Sequence, residues 1–203
     1  EGIIQKLPYI KGLGVNAIYL SPIFEADSNH KYDTGDYMRP DEMFGSLADF
    51  ERLVRAAKKL DIRIICDGVF NHTGADSRYF NKYGHYDSVG AYQSEQSPYY
   101  SWYHFGETRE DYACWWGIKI LPAIEKENEE FRKFVTGDGG VLSTWMERGV
   151  SSWRLDVADE LSDQMLDEIR RRVKRENPEG LIIGEVWEDA SNKIGRASCR
   201  ERV

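Results

Sequence analysis

The feature that most constrains the fold of this 203-residue chain is a repeated alternation between helical periodicity and short apolar runs. In each unit, apolar residues first recur at helical spacing, and a run typical of a buried strand then follows. The four units pair residues 3–10 with 16–21, 50–60 with 62–66, 141–146 with 153–155, and 165–173 with 181–185. Strands that alternate with helices imply right-handed crossovers and a parallel sheet covered on both faces. The sequence therefore predicts an α/β fold.

Reactive side chains follow the carboxyl end of every predicted strand. They are His30 and Tyr32 after the first strand, Asp67, Asn71 and His72 after the second, Asp156 after the third and Glu185 after the fourth. Side chains that converge from successive strand ends are typical of the open top of a (β/α)8 barrel. No Gly-x-Gly-x-x-Gly turn supports a dinucleotide-binding sheet instead. We therefore expect a partial (β/α)8 TIM barrel of about four βα units.

The segment 75–125 has little periodicity and is rich in Tyr, Trp, Gly, Ser and Asp. A structureless loop of this length in a compact domain is usually functional, so we expect an inserted lobe over the barrel mouth. Most of its aromatic residues should form a small core, and one or two should face outward as platforms for sugar rings. The predicted organisation is barrel in residues 1–74, lobe in 75–125 and barrel again in 126–193.

Residues 194–203 show no apolar periodicity, helix cap or turn chemistry. This string resembles the translation of a sequencing-library adapter, and we interpret it as a cloning or assembly scar outside the fold. The alternative is a short natural basic tail. The chain also starts at Glu1 without a signal segment, so we expect it to begin inside a longer protein.

Charge and cysteine usage narrow the classes of partner and compartment. The net charge of −8 leaves no basic face of the kind that binds nucleic acid, so no nucleic-acid partner is expected. The apolar runs are far shorter than the ~20 residues of a membrane helix, so no membrane partner is expected either. Three cysteines without a C-x-x-C pair favour a reducing compartment, and we expect a cytoplasmic location.

Arg154 and Asp156 lie two residues apart on a predicted strand, so their side chains point to the same face. A close arginine lowers the pKa of a carboxyl group and would keep Asp156 ionised, as a nucleophile should be. Glu185 ends an apolar strand near Trp187, where desolvation should raise its pKa and make it a general acid. Taken singly, such residues are more often structural ion pairs or caps. Together they form the carboxylate pair that retaining glycoside hydrolysis needs.

A zinc hydrolase is the obvious competitor for clustered acids and histidines. The chain has four histidines, but they show neither H-x-x-x-H spacing nor a neighbouring C-x-x-C pair. The sequence also has no Gly-x-Ser-x-Gly motif and no phosphate-binding loop. Glycoside hydrolysis therefore remains the favoured chemistry.

Five segments, in order, resemble motifs of the α-amylase family of glycoside hydrolases. They are residues 14–22, residues 30–36, Asp67-Gly-Val-Phe-Asn71-His72, residues 149–156 and Gly184-Glu185-Val-Trp187. By this resemblance, Asp156 is the nucleophile, Glu185 is the acid/base residue and Arg154 is the partner of the nucleophile. Other implied substrate contacts are Tyr32, His72, Trp187 and Glu160, and Asp67 is implied to support the site by holding Arg154. Asn71 matches a position that binds structural calcium in many members.

The lobe is similar to that of the neopullulanase and cyclomaltodextrinase branch, notably in residues 97–103 and 114–118. Three positions depart from the usual pattern of that branch. They are Pro122-Ala-Ile-Glu125, Asp159-Glu160 and Ser151-Ser152. None of them touches the two carboxylates, so the departures bear on the branch and leave the reaction class unchanged.

The resemblance implies a retaining hydrolase of α-1,4-glucosidic bonds whose partner is an α-glucan oligosaccharide or polysaccharide. The chemistry needs no cofactor, and structural calcium at Asn71 and a homodimer of the full-length parent are left open. A transglycosylase of the same family and a non-catalytic amylase-like assembly partner are the alternatives. A third acidic residue is implied on a later strand, outside these 203 residues. We therefore expect the chain to be inactive on its own.

Overall fold

A computed structural model describes residues 1–187 and 189 of the chain. The predicted scar at 194–203 and the end of the predicted second barrel segment lie outside the described residues. In chain order, the helices are α1 (Gly2–Gly12), α2 (Leu47–Lys58), α3 (Glu129–Thr136), α4 (Val141–Glu147) and α5 (Asp163–Glu176). The strands are β1 (Ala17–Tyr19), β2 (Phe24–Ala26), β3 (Thr34–Pro40), β4 (Arg63–Gly68), β5 (Ser152–Leu155) and β6 (Ile182–Gly184).

Four strands form a parallel sheet in the order β1-β4-β5-β6. Its register pairs Ala17 with Arg63, Ile65 with Ser152 and Trp153 with Ile182. Helices connect the successive parallel strands, as the four predicted units require. The predicted α/β class and its four helix-to-strand units are confirmed.

Local sequence signals set where the longer helices begin. Ser46 caps α2 in a capping box, in which its Oγ accepts from the Asp49 N–H at 3.2 Å and its own N–H donates to Asp49 Oδ2 at 2.9 Å. Ser162 caps α5 and accepts from the Met165 N–H at 3.2 Å. These bonds satisfy N–H groups that a helix start leaves without partners.

The sheet packs on a core of large aromatic side chains. Trp145 of α4 and Trp153 of β5 are fully buried, and Trp145 lies 5.0 Å from Phe24 between ring centroids. The Trp145 indole donates to the Tyr37 carbonyl at 2.8 Å, which ties α4 to β3. These contacts hold the antiparallel pair β2/β3, which the sequence did not predict, against the parallel sheet.

Between β4 and α3 the chain has only short 3-10 turns and isolated bridges. The region is held by its own aromatic core, in which Phe80 packs 4.9 Å from Tyr103 and 4.8 Å from Tyr112 between ring centroids. Trp102 is buried as well, whereas Trp116 is 66% exposed. Most of the aromatic residues therefore serve packing, and Trp116 faces outward.

In the described part of the chain, no helix is both long enough and apolar enough to cross a lipid bilayer.

Candidate active site

The carboxyl ends of three neighbouring strands place the charged groups of the site together. Asp67 lies on β4 directly opposite Arg154 on β5, because the parallel register pairs these two residues. Asp156 follows β5, and Glu185 follows β6. Since parallel strands all end at one edge of the sheet, the side chains that the sequence analysis singled out converge there.

The Arg154 guanidinium is the centre of this cluster. Its Nη1 lies 3.0 Å from Asp67 Oδ2 and 2.7 Å from Asp156 Oδ1, and its Nη2 lies 2.9 Å from Glu185 Oε2. One cation therefore serves three carboxyl groups. If all three carboxyl groups were ionised, their negative charge would exceed the single positive charge of the guanidinium. The predicted role of Asp67, to hold Arg154, agrees with this geometry.

The expected low pKa of Asp156 is wrong, although Arg154 itself acts on it in the predicted direction. Burial of the Asp156 carboxyl, which is 6% exposed as a residue, raises its pKa to about 7. The hydrogen bond and charge of Arg154 oppose this rise, but Asp67 and Glu185 add repulsion. An arginine shared among three carboxyl groups does not offset the burial of Asp156, and burial raises the pKa of Asp67 as well.

The predicted rise in the pKa of Glu185 is also wrong for the protein without substrate. Burial raises its pKa, but the N–H of Val157, the charge of Arg154 and a hydrogen bond from the Trp187 side chain together lower it. The Val157 N–H donates to Glu185 Oε2 at 3.1 Å. The Glu185 side chain is 29% exposed, and burial, although the largest single contribution, is outweighed by these hydrogen bonds and charges together.

A strained backbone supports this contact. Val157 has φ +46° and ψ +48°, a left-handed conformation that is costly for a β-branched residue. The turn comes directly after Asp156 and aims the Val157 N–H at Glu185. The backbone thus links the two candidate catalytic carboxylates through one hydrogen bond.

Tyr19 is a site residue that the sequence analysis missed. Its hydroxyl donates to Asp67 Oδ2, and its ring lies 6.0 Å from the Arg154 guanidinium. Tyr32 lies at the same distance from that guanidinium, which places it beside the charged cluster. The available signal was the position of Tyr19 near the end of the first apolar run, where a polar tip can reach the edge of the sheet.

His72 is enclosed between the sheet and the lobe. It is 1% exposed and stacks on Trp115 at 5.4 Å between ring centroids. Burial lowers the pKa of His72 to about 4, so the ring is neutral near neutral pH. Within residues 1–187, no protein group hydrogen-bonds its Nε2, which leaves a buried polar atom able to bind a ligand hydroxyl.

Asn71 is buried beside His72, and its carbonyl accepts from the Ile124 N–H at 2.9 Å. Within the described ranges, no group of three or more His, Cys, Asp or Glu side chains is placed to hold a metal ion. A calcium ion at Asn71 would therefore need most of its about 6–8 oxygen ligands from backbone and amide carbonyls and water. Structural calcium at Asn71 stays a prediction.

Glu160 and Trp187 lie beside the lobe tryptophans. Glu160 Oε1 accepts from the indole N–H of Trp115 at 3.3 Å and of Trp116 at 3.2 Å. The Trp116 and Trp187 rings meet edge to face at 5.5 Å, and both are about two-thirds exposed, at 66% and 65%. Two exposed indoles next to Glu185 form an aromatic surface of the kind that packs on sugar rings.

A parallel sheet with an arginine and paired carboxylates at its strand ends is the architecture of a glycoside hydrolase barrel. The sequence profile "Alpha amylase, catalytic domain" matches residues 1–198, and the chain belongs to the α-amylase family. This finding confirms the resemblance that the sequence motifs indicated.

Similar proteins come from the same branch as the one that the lobe indicated. The chain is 43% identical over 210 residues to an amylopullulanase of Thermoanaerobacterium saccharolyticum, covering 94% of this chain and 16% of that protein. It is 39% identical over 198 residues to neopullulanase 2 of Thermoactinomyces vulgaris, covering 94% and 32%. The solved type III pullulan hydrolase of Thermococcus kodakarensis superimposes with a TM-score of 0.85 at 30% identity, covering 96% and 34%. The chain thus spans at most about a third of the length of these relatives.

Proposed function

We propose that this chain contributes the nucleophile and the acid/base residue of a retaining α-glucan hydrolase. The observation that carries the proposal is the Arg154 guanidinium bonded to Asp67, Asp156 and Glu185 at adjacent strand ends. Two carboxylates held on one guanidinium are close enough to act on the same glycosidic bond. A short separation is what distinguishes retaining from inverting glycosidases.

In the first step, an Asp156 oxygen attacks the anomeric carbon and the bond to the leaving oxygen breaks. Glu185 donates its proton to that oxygen. In the second step, Glu185 takes a proton from water, whose oxygen attacks the anomeric carbon and releases the Asp156 carboxylate. The protein is thereby restored without any cofactor.

The resting protonation states need to exchange before this reaction can start. Asp156 has the raised pKa and Glu185 the lowered one, and the charge of each affects the other. A sugar that covers the Glu185 side chain, which is 29% exposed, displaces water and raises the pKa of its carboxyl group. Once Glu185 is protonated, its repulsion of Asp156 ends and the pKa of Asp156 falls. Substrate binding therefore favours protonation of Glu185 and ionisation of Asp156, the states that the first step needs.

The substrate class follows from the relatives and from the aromatic surface. The printed names of similar proteins refer to pullulan and maltodextrin-type substrates, namely neopullulanase and cyclomaltodextrinase. Trp116 and Trp187 offer exposed apolar faces close to Glu185. We infer α-1,4-linked glucose chains as the substrate.

Transfer to a sugar acceptor is the second candidate. The exposed Trp116 and Trp187 beside Glu185 could hold a sugar where water would otherwise attack. Transfer products that grow with acceptor concentration would identify this activity, whereas a hydrolase releases only reducing ends.

The roles are tested in the protein that carries this chain on a complete barrel. Asp156→Asn should abolish turnover, because nothing small replaces the nucleophile. Glu185→Ala should be rescued by azide on an activated aryl glucoside, since a good leaving group needs no acid and a small anion replaces the base. Glu179→Gln, an exposed change between α5 and β6, is the matched control. Near-normal turnover by Asp156→Asn would refute the assignment.

A further inference from the structure

The carboxylate of Glu160 is the acceptor for two indole donors at once. The Trp115 N–H and the Trp116 N–H both reach Glu160 Oε1, at 3.3 and 3.2 Å. The donors belong to the lobe, whereas Glu160 lies in a short 3-10 turn (Ala158–Glu160) that follows β5. This bridge therefore joins the lobe to the segment that carries Asp156, four residues earlier.

The two indoles occupy a conformation that needs such a support. They stack at 4.9 Å between ring centroids with an interplanar angle of 17°. Trp116 has φ +50° and ψ +30°, a left-handed conformation that is strained for a residue with a side chain. Strain of this kind persists only where surrounding contacts hold it.

Each indole has a second function in the site. Trp115 stacks on the His72 ring. It therefore covers one face of the ring whose Nε2 has no hydrogen-bond partner in the described residues. Trp116 turns outward and meets Trp187 edge to face beside Glu185. The orientation of both substrate-facing elements thus depends on the pair that Glu160 holds.

We propose that Glu160 is a positioning residue whose carboxylate fixes the Trp115–Trp116 pair over the active site and thereby sets α-glucan affinity. This differs from the sequence expectation that Glu160 contacts the substrate itself. The proposal rests on the proposed function for its effect on affinity, whereas the indole bridge itself can be tested without any activity.

Circular dichroism reports the stacking of the Trp115–Trp116 pair, because stacked indoles give an exciton couplet. The difference between the wild-type spectrum and that of Trp116→Phe defines the signal of the pair. In the complete-barrel protein, Glu160→Ala should lose most of that signal, since two N–H groups lose their acceptor. Glu160→Gln keeps an acceptor oxygen and should retain the signal. Glu179→Ala, an exposed change elsewhere, should leave it intact.

Steady-state kinetics on maltodextrin measure the consequence for affinity. Glu160→Ala should raise KM by roughly three- to tenfold with a smaller effect on kcat, the pattern expected when binding contacts are lost. Glu160→Gln should restore KM to near the wild-type value. A thermal melt of each variant confirms that it is folded.

Two outcomes would overturn the proposal. An intact couplet in folded Glu160→Ala would show that the carboxylate does not hold the pair. A lost couplet with an unchanged KM would show that the pair does not affect substrate binding. If the wild-type protein cleaves no α-glucan, the proposed function fails, yet the couplet still decides whether the bridge exists.

Discussion

At the scale of single residues, Arg154 determines how the site balances its charges. Asp67, Asp156 and Glu185 all contact it, and burial raises the pKa of Asp67 and brings that of Asp156 to about 7. A buried nucleophilic carboxyl group with an elevated pKa must lose its proton before it can attack, and its burial is costly for folding. The cost should therefore be visible in the stability of the protein and in its dependence on pH.

We expect Asp156→Asn to stabilise the protein at pH 8 by about 1–3 kcal/mol. The folded pKa of Asp156, about 7, exceeds the unfolded value of about 3.9. Its favourable contribution is therefore fully present below pH ~4 and is lost as the pH rises through ~7. Removing the ionisable group removes this loss, and Arg154 keeps two other partners.

Thermal melts at pH 5 and pH 8 measure this effect. The stabilisation by Asp156→Asn should be large at pH 8 and smaller at pH 5. Asp87→Asn, an exposed change in the lobe, should shift the melting temperature little at either pH. Equal stabilisation at both pH values would mean that the carboxyl of Asp156 does not titrate in this range.

Tyr32 offers a prediction about transition-state binding. Its ring is half-buried and lies 6.0 Å from the Arg154 guanidinium, in reach of a sugar at the charged cluster. Tyr32→Ala should lower kcat/KM by an amount that corresponds to roughly 1–3 kcal/mol of lost transition-state binding. The larger share should fall in kcat if the ring stabilises a distorted sugar. Tyr83→Ala, which removes a tyrosine that is 54% exposed, is the control. A large loss of thermal stability with unchanged kinetics would instead make Tyr32 a packing residue.

At the scale of secondary-structure elements, one glycine sets how α4 turns into β5. Gly149 has φ +100°, and a Cβ there would lie 2.4 Å from Val54 Cγ1 of α2. Gly139 also has a positive φ, +69°, but a Cβ there would meet nothing within 4 Å. The two glycines share the backbone constraint and differ in the space around them.

Alanine substitutions at these glycines should therefore separate backbone strain from steric overlap. Gly139→Ala should cost about 1–2 kcal/mol, the penalty of a left-handed alanine. Gly149→Ala should cost about 1–3 kcal/mol more, because α2 must also move away from the turn. Urea unfolding curves with unchanged slopes would report both free energies. Equal costs at the two positions would show that α2 accommodates the added methyl group.

The elements also show which parts of the fold are visible in the sequence. The four parallel strands and their helices were predicted because each element repeats apolar residues at its own period. The pair β2/β3 was missed because its buried positions are partly polar, for example Asp36, whose carboxylate is held by Arg78 of the lobe at 2.7 Å. Helix α3 was missed because it is short and buries Arg132 on its inner face.

The candidate site likewise contains residues that the sequence predicts and interactions that it does not. Strand ends located Asp67, Arg154, Asp156 and Glu185, since the carboxyl ends of parallel strands share one edge. The order of the two pKa values was wrong, because it depends on the sharing of Arg154 and on the Val157 N–H, which sequence spacing does not encode. The contact of Tyr19 with Asp67 depends on strand register and was missed for the same reason.

At the scale of the whole molecule, the parallel sheet has two open edges in the part of the chain that the structure describes. β1 pairs only with β4, and β6 pairs only with β5. Apolar side chains are exposed near both edges, including Tyr19 at 44% and Leu181 at 44%. A barrel of eight strands buries such edges by closure, so the four strands alone leave apolar surface and unpaired backbone in water.

We expect the 203-residue chain by itself to associate and to release no reducing sugar from maltodextrin, cyclodextrin or pullulan. Open strand edges favour pairing with other chains, and a site built at the strand ends loses its rigidity when the sheet is not closed. A protein in which these residues are followed by the remaining strands of a closed barrel should be monodisperse and hydrolyse these substrates.

Size-exclusion chromatography and a reducing-sugar assay on both proteins measure the two effects, with the Asp156→Asn version of each as the blank for contaminating activity. The short chain should elute as large species and match its blank, whereas the extended protein should exceed its blank. Hydrolysis by a monomeric short chain that disappears with Asp156→Asn would overturn this prediction. Four strands and two carboxylates would then be sufficient for the reaction, and barrel closure would serve stability alone.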